Sequence, residues 1–206
     1  PLITAIGCSI VLQNLAMMIW GRNYLTFPPV IENAQYELAG ASFTSIQVAI
    51  VLISGLSMAG LLFLVYRTRL GMAMRATAQN PAVASLMGVN ANRVIAAAFV
   101  IGSALGALAG VMVGSYYEIA HYQMGFLLGL KAFTAAVLGG IGNLAGAMAG
   151  GVLLGIIEAL GAGYIGDLTG GFLGSHYQDI FAFIVLIAVL MFRPSGLFGE
   201  KTGDRA

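Results

Sequence analysis

The most constraining feature of this chain is the length of its uncharged runs. Leu2 to Ile19, Ile46 to Tyr66 and Val94 to Gly114 hold no charged side chain, and the first is interrupted only by Thr4, Ser9, Gln13 and Asn14. A bilayer core about 30 Å thick takes about 20 helical residues at about 1.5 Å each, so each run meets or approaches the length of a membrane span. Composition agrees. Of 206 residues, 59% are apolar and 8% charged, against about 25% charged in an ordinary soluble domain. The mean hydropathy is +0.93, so a soluble domain is excluded. The 29 glycines fit the same solvent: each would cost a soluble helix about 1 kcal/mol relative to alanine, whereas membrane helices use small residues to approach closely. The expected fold is all-α, a polytopic transmembrane helix bundle forming a single domain over residues 1–206.

A net charge of +1 excludes nucleic-acid binding by bulk electrostatics. The lone Cys8 lies in an apolar run, which leaves neither a disulfide framework nor a cysteine metal site. The chain opens at Pro1 and enters its first apolar stretch without a basic leader. No small-residue cleavage site follows, so Leu2 to Trp20 reads as a span, not a signal peptide, and the chain as an N-terminally truncated one.

The charges assign sides. Residues 67–93 contain Arg67, Arg69, Arg75 and Arg93 and no acid, and the tail carries Arg193, Lys201 and Arg205. Both segments are expected on the cytoplasmic face. The other loops are acidic or neutral: Glu32 and Glu37 outweigh Arg22 in the first, Glu118 follows the third span, and Asp167 and Asp179 flank the last.

Residues 131–160 must then enter and leave on one face. At 1.5 Å per residue the stretch Gly129 to Leu160 would extend about 48 Å as one helix, too long for one span and too short for two. It is interrupted by "GGIGNLAG". The expectation is a central re-entrant pair: a half-helix from about Lys131 to Leu138, a turn at Gly139, Gly140 and Gly142, and a return helix from about Ala145 to Leu160. Such irregular backbone is tolerated at membrane depth only where protein or a water-filled cavity covers it. One long kinked helix is the alternative. The expected spans are therefore 2–19, 46–66, 94–114, 131–160 (broken) and 178–192, with a cytoplasmic loop at 67–93.

Gly102, Gly106, Gly110 and Gly114 recur every four residues, with Ala98 extending the row. This spacing places them on one helix face and forms a groove for close helix packing. Gly142, Gly146 and Gly150 repeat it, with Gly151 and Gly155 beside them. The cytoplasmic loop is more specific. Asn80 before Pro81 is a helix start, since Asn accepts from orphan N–H groups and Pro suits the first helical position. Gly88 can close the helix in a left-handed conformation. A short helix is thus presented with Val83, Leu86 and Met87 on it, suited either to a groove on a partner or to lipid headgroups.

The segments "GMAMRATAQNPAVASLMGVNANRVIAAAFVIGSALGALAGVMVG", "MGFLLGLKAFTAAVLGGIGNLAGAMAGGVLLGIIEALGAGY" and "FAFIVLIAVLMFRPSGLFG" resemble successive blocks of bacterial ABC-transporter permeases for branched-chain amino acids, of the LivH type. The resemblance covers nearly the whole chain and places it as the C-terminal part of such a permease; the outer loop "GRNYLTFPPVIENAQYELAGASFT" has no firm match. It implies an importer subunit of the bacterial inner membrane, assembled with a LivM-like permease, two cytoplasmic ATPases and a periplasmic or lipid-anchored substrate-binding protein. The family's ATPase-contacting loop corresponds to Arg69 to Gly88 here, which implicates Arg69, Gly71, Arg75, Asn80, Pro81, Val83, Leu86, Met87 and Gly88. No phosphate-binding G-x-x-x-x-G-K-[ST] loop occurs, so ATP is expected on partner subunits and no cofactor on this chain.

A lone charge at the bilayer centre costs about 2.5 to 3.5 kcal/mol on insertion scales, so Lys131 and Glu158 require a partner or water. They either pair or line the route with Thr134, or each snorkels to the interface. The backbone N–H groups of Ala132 to Thr134, at the expected half-helix end, could face a carboxylate. His121 and His176 lie in outer loops without acid or cysteine at ligand spacing, so no metal site is expected. A urea or short-chain amide permease is the alternative within the class; a stand-alone channel or secondary transporter is the alternative outside it.

Overall fold

The computed structural model describes residues 2–28, 34–38, 41–140, 142–168, 178–193 and 195–199. Among these lie eight α-helices and two small two-stranded sheets, an all-α bundle with minor strand decoration. The chain divides after Gly125 into two units.

The first unit contains α1 (Leu2–Trp20), β1 (Leu25–Thr26), β2 (Gln35–Leu38), β3 (Ala41–Thr44), α2 (Ser45–Arg67), α3 (Arg69–Gln79), α4 (Pro81–Leu86), α5 (Ala91–Tyr117) and β4 (Ile119–Ala120). The two long helices, α2 and α5, are each apolar and long enough to cross a membrane. Their large side chains point outward: Val51, Leu56, Phe63, Phe99 and Val100 are exposed, which is stable only against lipid or another protein. The strands were not expected. β2 pairs antiparallel with β3 and β1 with β4, and they arise where "YLTF", "QYEL" and "ASFT" place aromatic and β-branched residues between the spans.

α3 was likewise not anticipated. It begins immediately after α2 because Thr68 makes the corner: its hydroxyl donates to the Leu64 carbonyl at 2.5 Å and accepts from the Gly71 N–H at 3.1 Å. Gly71 is buried there, and a Cβ on it would overlap the Leu64 and Val65 carbonyl oxygens. α3 packs on both α2 and α5, and so holds the segment between these two helices against both of them.

The second unit is built on α6 (Met124–Gly139), which begins at the boundary, α7 (Leu144–Leu168) and α8 (Gln178–Phe192). α6 and α7 form an antiparallel hairpin. Ala135 lies opposite Gly150 and Gly139 opposite Gly146, so the alternative of one kinked helix is excluded. The break carries Gly140 at φ 111° and Gly142 at φ 96°, backbone that disfavours any side chain. Asn143 restarts the helix, its Oδ1 accepting from the Gly146 N–H at 3.0 Å.

The helix limits differ from the expected ones. α6 starts at Met124 instead of near Lys131, and α7 runs to Leu168 instead of Leu160. The segment "MGFLLGL", ahead of the expected start, is helical although it contains two glycines. The helices are therefore about 24 and 37 Å long. One consequence removes an expected anion site: the N–H groups of Ala132 to Thr134 lie inside α6, where they bond within the helix, since only a helix's first four donors are free.

The crossing of α6 and α7 is backbone against backbone. A Cβ on Gly139 would overlap the Gly146 carbonyl, and one on Gly150 would overlap the Ala135 carbonyl. Leu138, 1% exposed, and the Ala135–Leu154 contact flank it. The segment after α8 completes the break. Leu197 N–H donates to Leu138 O at 2.9 Å, Phe198 N–H to Gly139 O at 3.0 Å, and Asn143 Nδ2 to Phe198 O at 2.9 Å. Those two carbonyls belong to the last turn of α6, where helix acceptors otherwise lack partners.

Gly139→Ala and Gly150→Ala should each destabilise the protein by about 1 to 3 kcal/mol through overpacking. Gly155→Ala, whose methyl would meet no described atom within 4 Å, should leave stability unchanged or slightly raised. Thermal unfolding in detergent checks the ranking, and equal effects at the three positions would contradict the packing described.

Candidate functional site

Two constellations carry chemistry, one in each unit. In the first unit the loop between α2 and α5 folds as α3 and α4. The Asn80 side chain accepts from the N–H groups of Ala82 and Val83 at 3.0 and 3.1 Å, and Pro81 occupies the first turn. This Asn–Pro start fixes α4 as a separate helix. Its end is closed by Gly88 at φ 82°, with the Gly88 N–H donating to Ser85 O at 3.0 Å and the Val89 N–H to Ala84 O at 3.1 Å. Asn90 then caps α5 through the Arg93 N–H at 3.1 Å.

Burial separates the roles in this loop. Ala84 is buried and anchors α4, whereas Val83, Leu86 and Met87 are 53%, 87% and 81% exposed. An apolar surface of this kind is therefore held outward by a helix rigid at both ends. Of the other residues expected to meet a partner, Arg69 and Arg75 are both exposed, the Arg75 guanidinium lying over the Tyr66 ring at 5.3 Å from its centroid, while Gly71 is buried in the α2–α3 corner.

In the second unit Lys131 and Glu158 meet, Nζ to Oε2 at 3.0 Å. Helix geometry explains the match. With 135 opposite 150, Lys131 stands opposite Leu154, and Glu158 is one turn further from the break. Side chains lean toward the N-terminus of their own helix, so in an antiparallel pair Lys131 leans away from the break and Glu158 toward it, and the two heads converge. Their side chains are 27% and 18% exposed. The second carboxylate oxygen, Oε1, is buried and has no hydrogen-bond partner among the described residues. Thr134 is buried and donates to the Lys131 carbonyl at 2.7 Å, one turn along α6. Gly139 and Gly140 lie at the close crossing and the break, and Gly142 is exposed at the turn.

Three positions of the α5 glycine row stay open among the described residues. A Cβ on Gly102, Gly106 or Gly110 would meet no described atom within 4 Å, while one on Gly114 would meet the Phe27 ring at 3.4 Å. His121 stacks on Tyr24 with centroids 4.5 Å apart and lies tilted against Tyr122 at 4.2 Å. His176 lies outside the described residues, as do Glu32, Lys201 and Arg205.

Comparison with known proteins gives a consistent result. The family described as "Branched-chain amino acid transport system / permease component" matches residues 1–190. The chain is 43% identical over 209 residues to the high-affinity branched-chain amino acid transport system permease protein BraD of Pseudomonas aeruginosa, covering 100% of this chain and 66% of that protein. It is 43% identical to the corresponding permease protein LivH of Escherichia coli K12, covering 99% and 65%. A probable branched-chain amino acid transport permease protein of Methanocaldococcus jannaschii is 32% identical over 174 residues, covering 82% and 53%. No solved structure matches the chain. The chain thus spans about two-thirds of the length of its bacterial relatives. Its apolar helices make it a membrane protein, and the match over residues 1–190 assigns it: the chain belongs to the branched-chain amino acid transport permease family.

Proposed function

We propose that this chain is the permease subunit of an ATP-driven importer that carries branched-chain or related amino acids across the bacterial inner membrane. The observation that carries the proposal is α4. A helix of six residues, capped at both ends, holds Val83, Leu86 and Met87 out of the fold. Burying such side chains is worth about 1.5 to 3 kcal/mol each, so the surface is built for a partner. A stand-alone channel or secondary transporter has no use for it.

The partners are two cytoplasmic ATPases, which dock on α4 with Arg69 at its margin, a second, LivM-like permease, and a periplasmic or lipid-anchored substrate-binding protein that delivers cargo. ATP is hydrolysed on the ATPases, since this chain lacks a phosphate-binding loop, and it needs no cofactor or metal of its own. The two bacterial relatives are named for branched-chain amino acids, which supports that cargo over urea or short-chain amides. The open α5 row at Gly102, Gly106 and Gly110 is a face for close helix packing in the assembly.

The arginine-rich loop and Arg193 belong on the cytoplasmic side. The break between α6 and α7 then lies near that side too, since residues 197 and 198, just beyond α8, hydrogen-bond to Leu138 and Gly139. Lys131, Thr134 and Glu158 stand deeper in the apolar layer, along the translocation path.

A Leu86→Glu, Met87→Glu double variant should reach the membrane but reduce co-purification of the ATPases at least about tenfold. Asn80→Ala, which loses a cap worth about 1 kcal/mol, should give a smaller reduction. Retention of the ATPases by the double variant would refute docking on α4.

Single cysteines should report sidedness: Ser85→Cys labelled by an impermeant reagent only from the cytoplasmic face, and Gln123→Cys only from the outer face. Cells expressing the assembled system should accumulate labelled leucine, isoleucine or valine, and accumulation of urea alone would select the amide branch instead.

A further inference from the structure

We infer that Tyr66, Arg67 and Arg75, where α2 gives way to α3, form a binding site for the phosphate headgroup of an anionic phospholipid. The inference goes beyond the importer function and does not depend on its cargo. It needs only that the chain is a membrane protein.

The place of the site follows from α2. Its exposed residues recur at helical spacing, so Val48, Leu52, Leu56, Phe63 and Tyr66 share one face. That face is apolar until its last turn, where it ends on Tyr66 and exposed Arg67. At 23 residues α2 is about 34 Å long, enough to cross a hydrocarbon core of about 30 Å and bring its last turn to headgroup level. A tyrosine, apolar in its ring and polar at its tip, suits that level.

Helix α3 brings a second arginine to the same spot. Its exposed residues Arg69, Met72, Arg75, Ala76 and Gln79 again follow helical spacing, whereas Gly71 and Thr77 are buried. The Arg75 guanidinium lies over the Tyr66 ring at 5.3 Å from its centroid, which holds it beside the exposed face of α2. Stacking occupies the flat side of the guanidinium and leaves its N–H edge available. That edge matches two oxygens of one phosphate.

The charge here has no counterpart nearby. From Leu38 to Tyr117 the chain holds four arginines and no acid. Glu37 precedes α2 and Glu118 follows α5, at the ends away from these arginines. Among the described residues neither Arg67 nor Arg75 pairs with a carboxylate. A phospholipid supplies the missing anion at this depth, with its acyl chains along the apolar face of α2. An acidic surface on an ATPase is the competing occupant, but a soluble partner cannot follow a face that continues through Phe63 into the span.

The test uses the assembled transporter, purified in detergent and stripped of lipid. It is titrated with phosphatidylglycerol and, separately, with phosphatidylcholine of the same acyl chains, and bound lipid is counted by native mass spectrometry. R67Q/R75Q should bind phosphatidylglycerol at least about tenfold more weakly at one site and phosphatidylcholine as before. R67K/R75K, which keeps both charges, should recover most of the difference. Y66L, which removes the ring under Arg75, should weaken phosphatidylglycerol binding several-fold, and Y66F, which keeps the ring, should weaken it less. Inorganic phosphate should not displace the lipid.

Equal phosphatidylglycerol binding by the unaltered and R67Q/R75Q transporters would overturn the site, and loss of the ATPases from that variant alongside would assign the arginines to the ATPase interface instead. A parallel fall in phosphatidylcholine binding would overturn it too, by making the change one of folding. Displacement by inorganic phosphate would overturn the assignment to lipid.

Discussion

Hydrocarbon offers no hydrogen-bond partner to a peptide group, and this fold follows from that restriction. Long uncharged runs become helices because only a helix satisfies its backbone within the segment. Where the helix must stop, between Gly139 and Leu144, the backbone has to be satisfied by other means. Here the last carbonyls of α6 accept from Leu197 and Phe198, and Asn143 serves both as the cap of α7 and as a donor to Phe198. Glycine is required at 139 and 150 for the complementary reason: the two backbones come so close that a methyl group has no place. Packing of this sort substitutes for the hydrophobic driving force that lipid removes.

The same hairpin orders the polar chemistry of the second unit. Once the crossing sets 135 opposite 150, the positions of Lys131 and Glu158 follow from helix geometry, and the lean of their side chains brings the heads to 3.0 Å. The sequence alone left three states open for these residues, pairing, lining a route or snorkelling apart, because the depth of each depends on where its helix begins. Taking α6 to start near Lys131 would have put the charge at a helix mouth. In the structure it lies eight residues into a 16-residue helix, and its environment changes accordingly.

Legibility was greatest where the signal is local. Asn80, Pro81 and Gly88 specify a helix by interactions within a few residues, and α4 occupies Pro81–Leu86 as those residues imply. Helix α3 was missed because its sequence, "RLGMAMRATAQ", has neither a starting proline nor a long apolar run; its start depends on Thr68 turning the chain against Leu64. Gly71 and Arg75 gain from tertiary structure a description that residue type could not give: one closes the α2–α3 corner and the other lies over Tyr66. The strands β1 to β4, of two to four residues each, lie below the length at which alternation can be read.

By itself the sequence determined the solvent, the all-helical class and the capped helix that begins at Pro81. Each of these is set by composition or by neighbours a few residues apart. Tertiary structure decided what those helices do to one another: that α6 and α7 form an antiparallel hairpin, that the glycines at 139, 146 and 150 are spent inside it while those at 102, 106 and 110 remain open, and that Lys131 faces Glu158. These depend on contacts between residues 7 to 59 positions apart. Helical spacing can say which residues share a face, but only packing decides what that face meets.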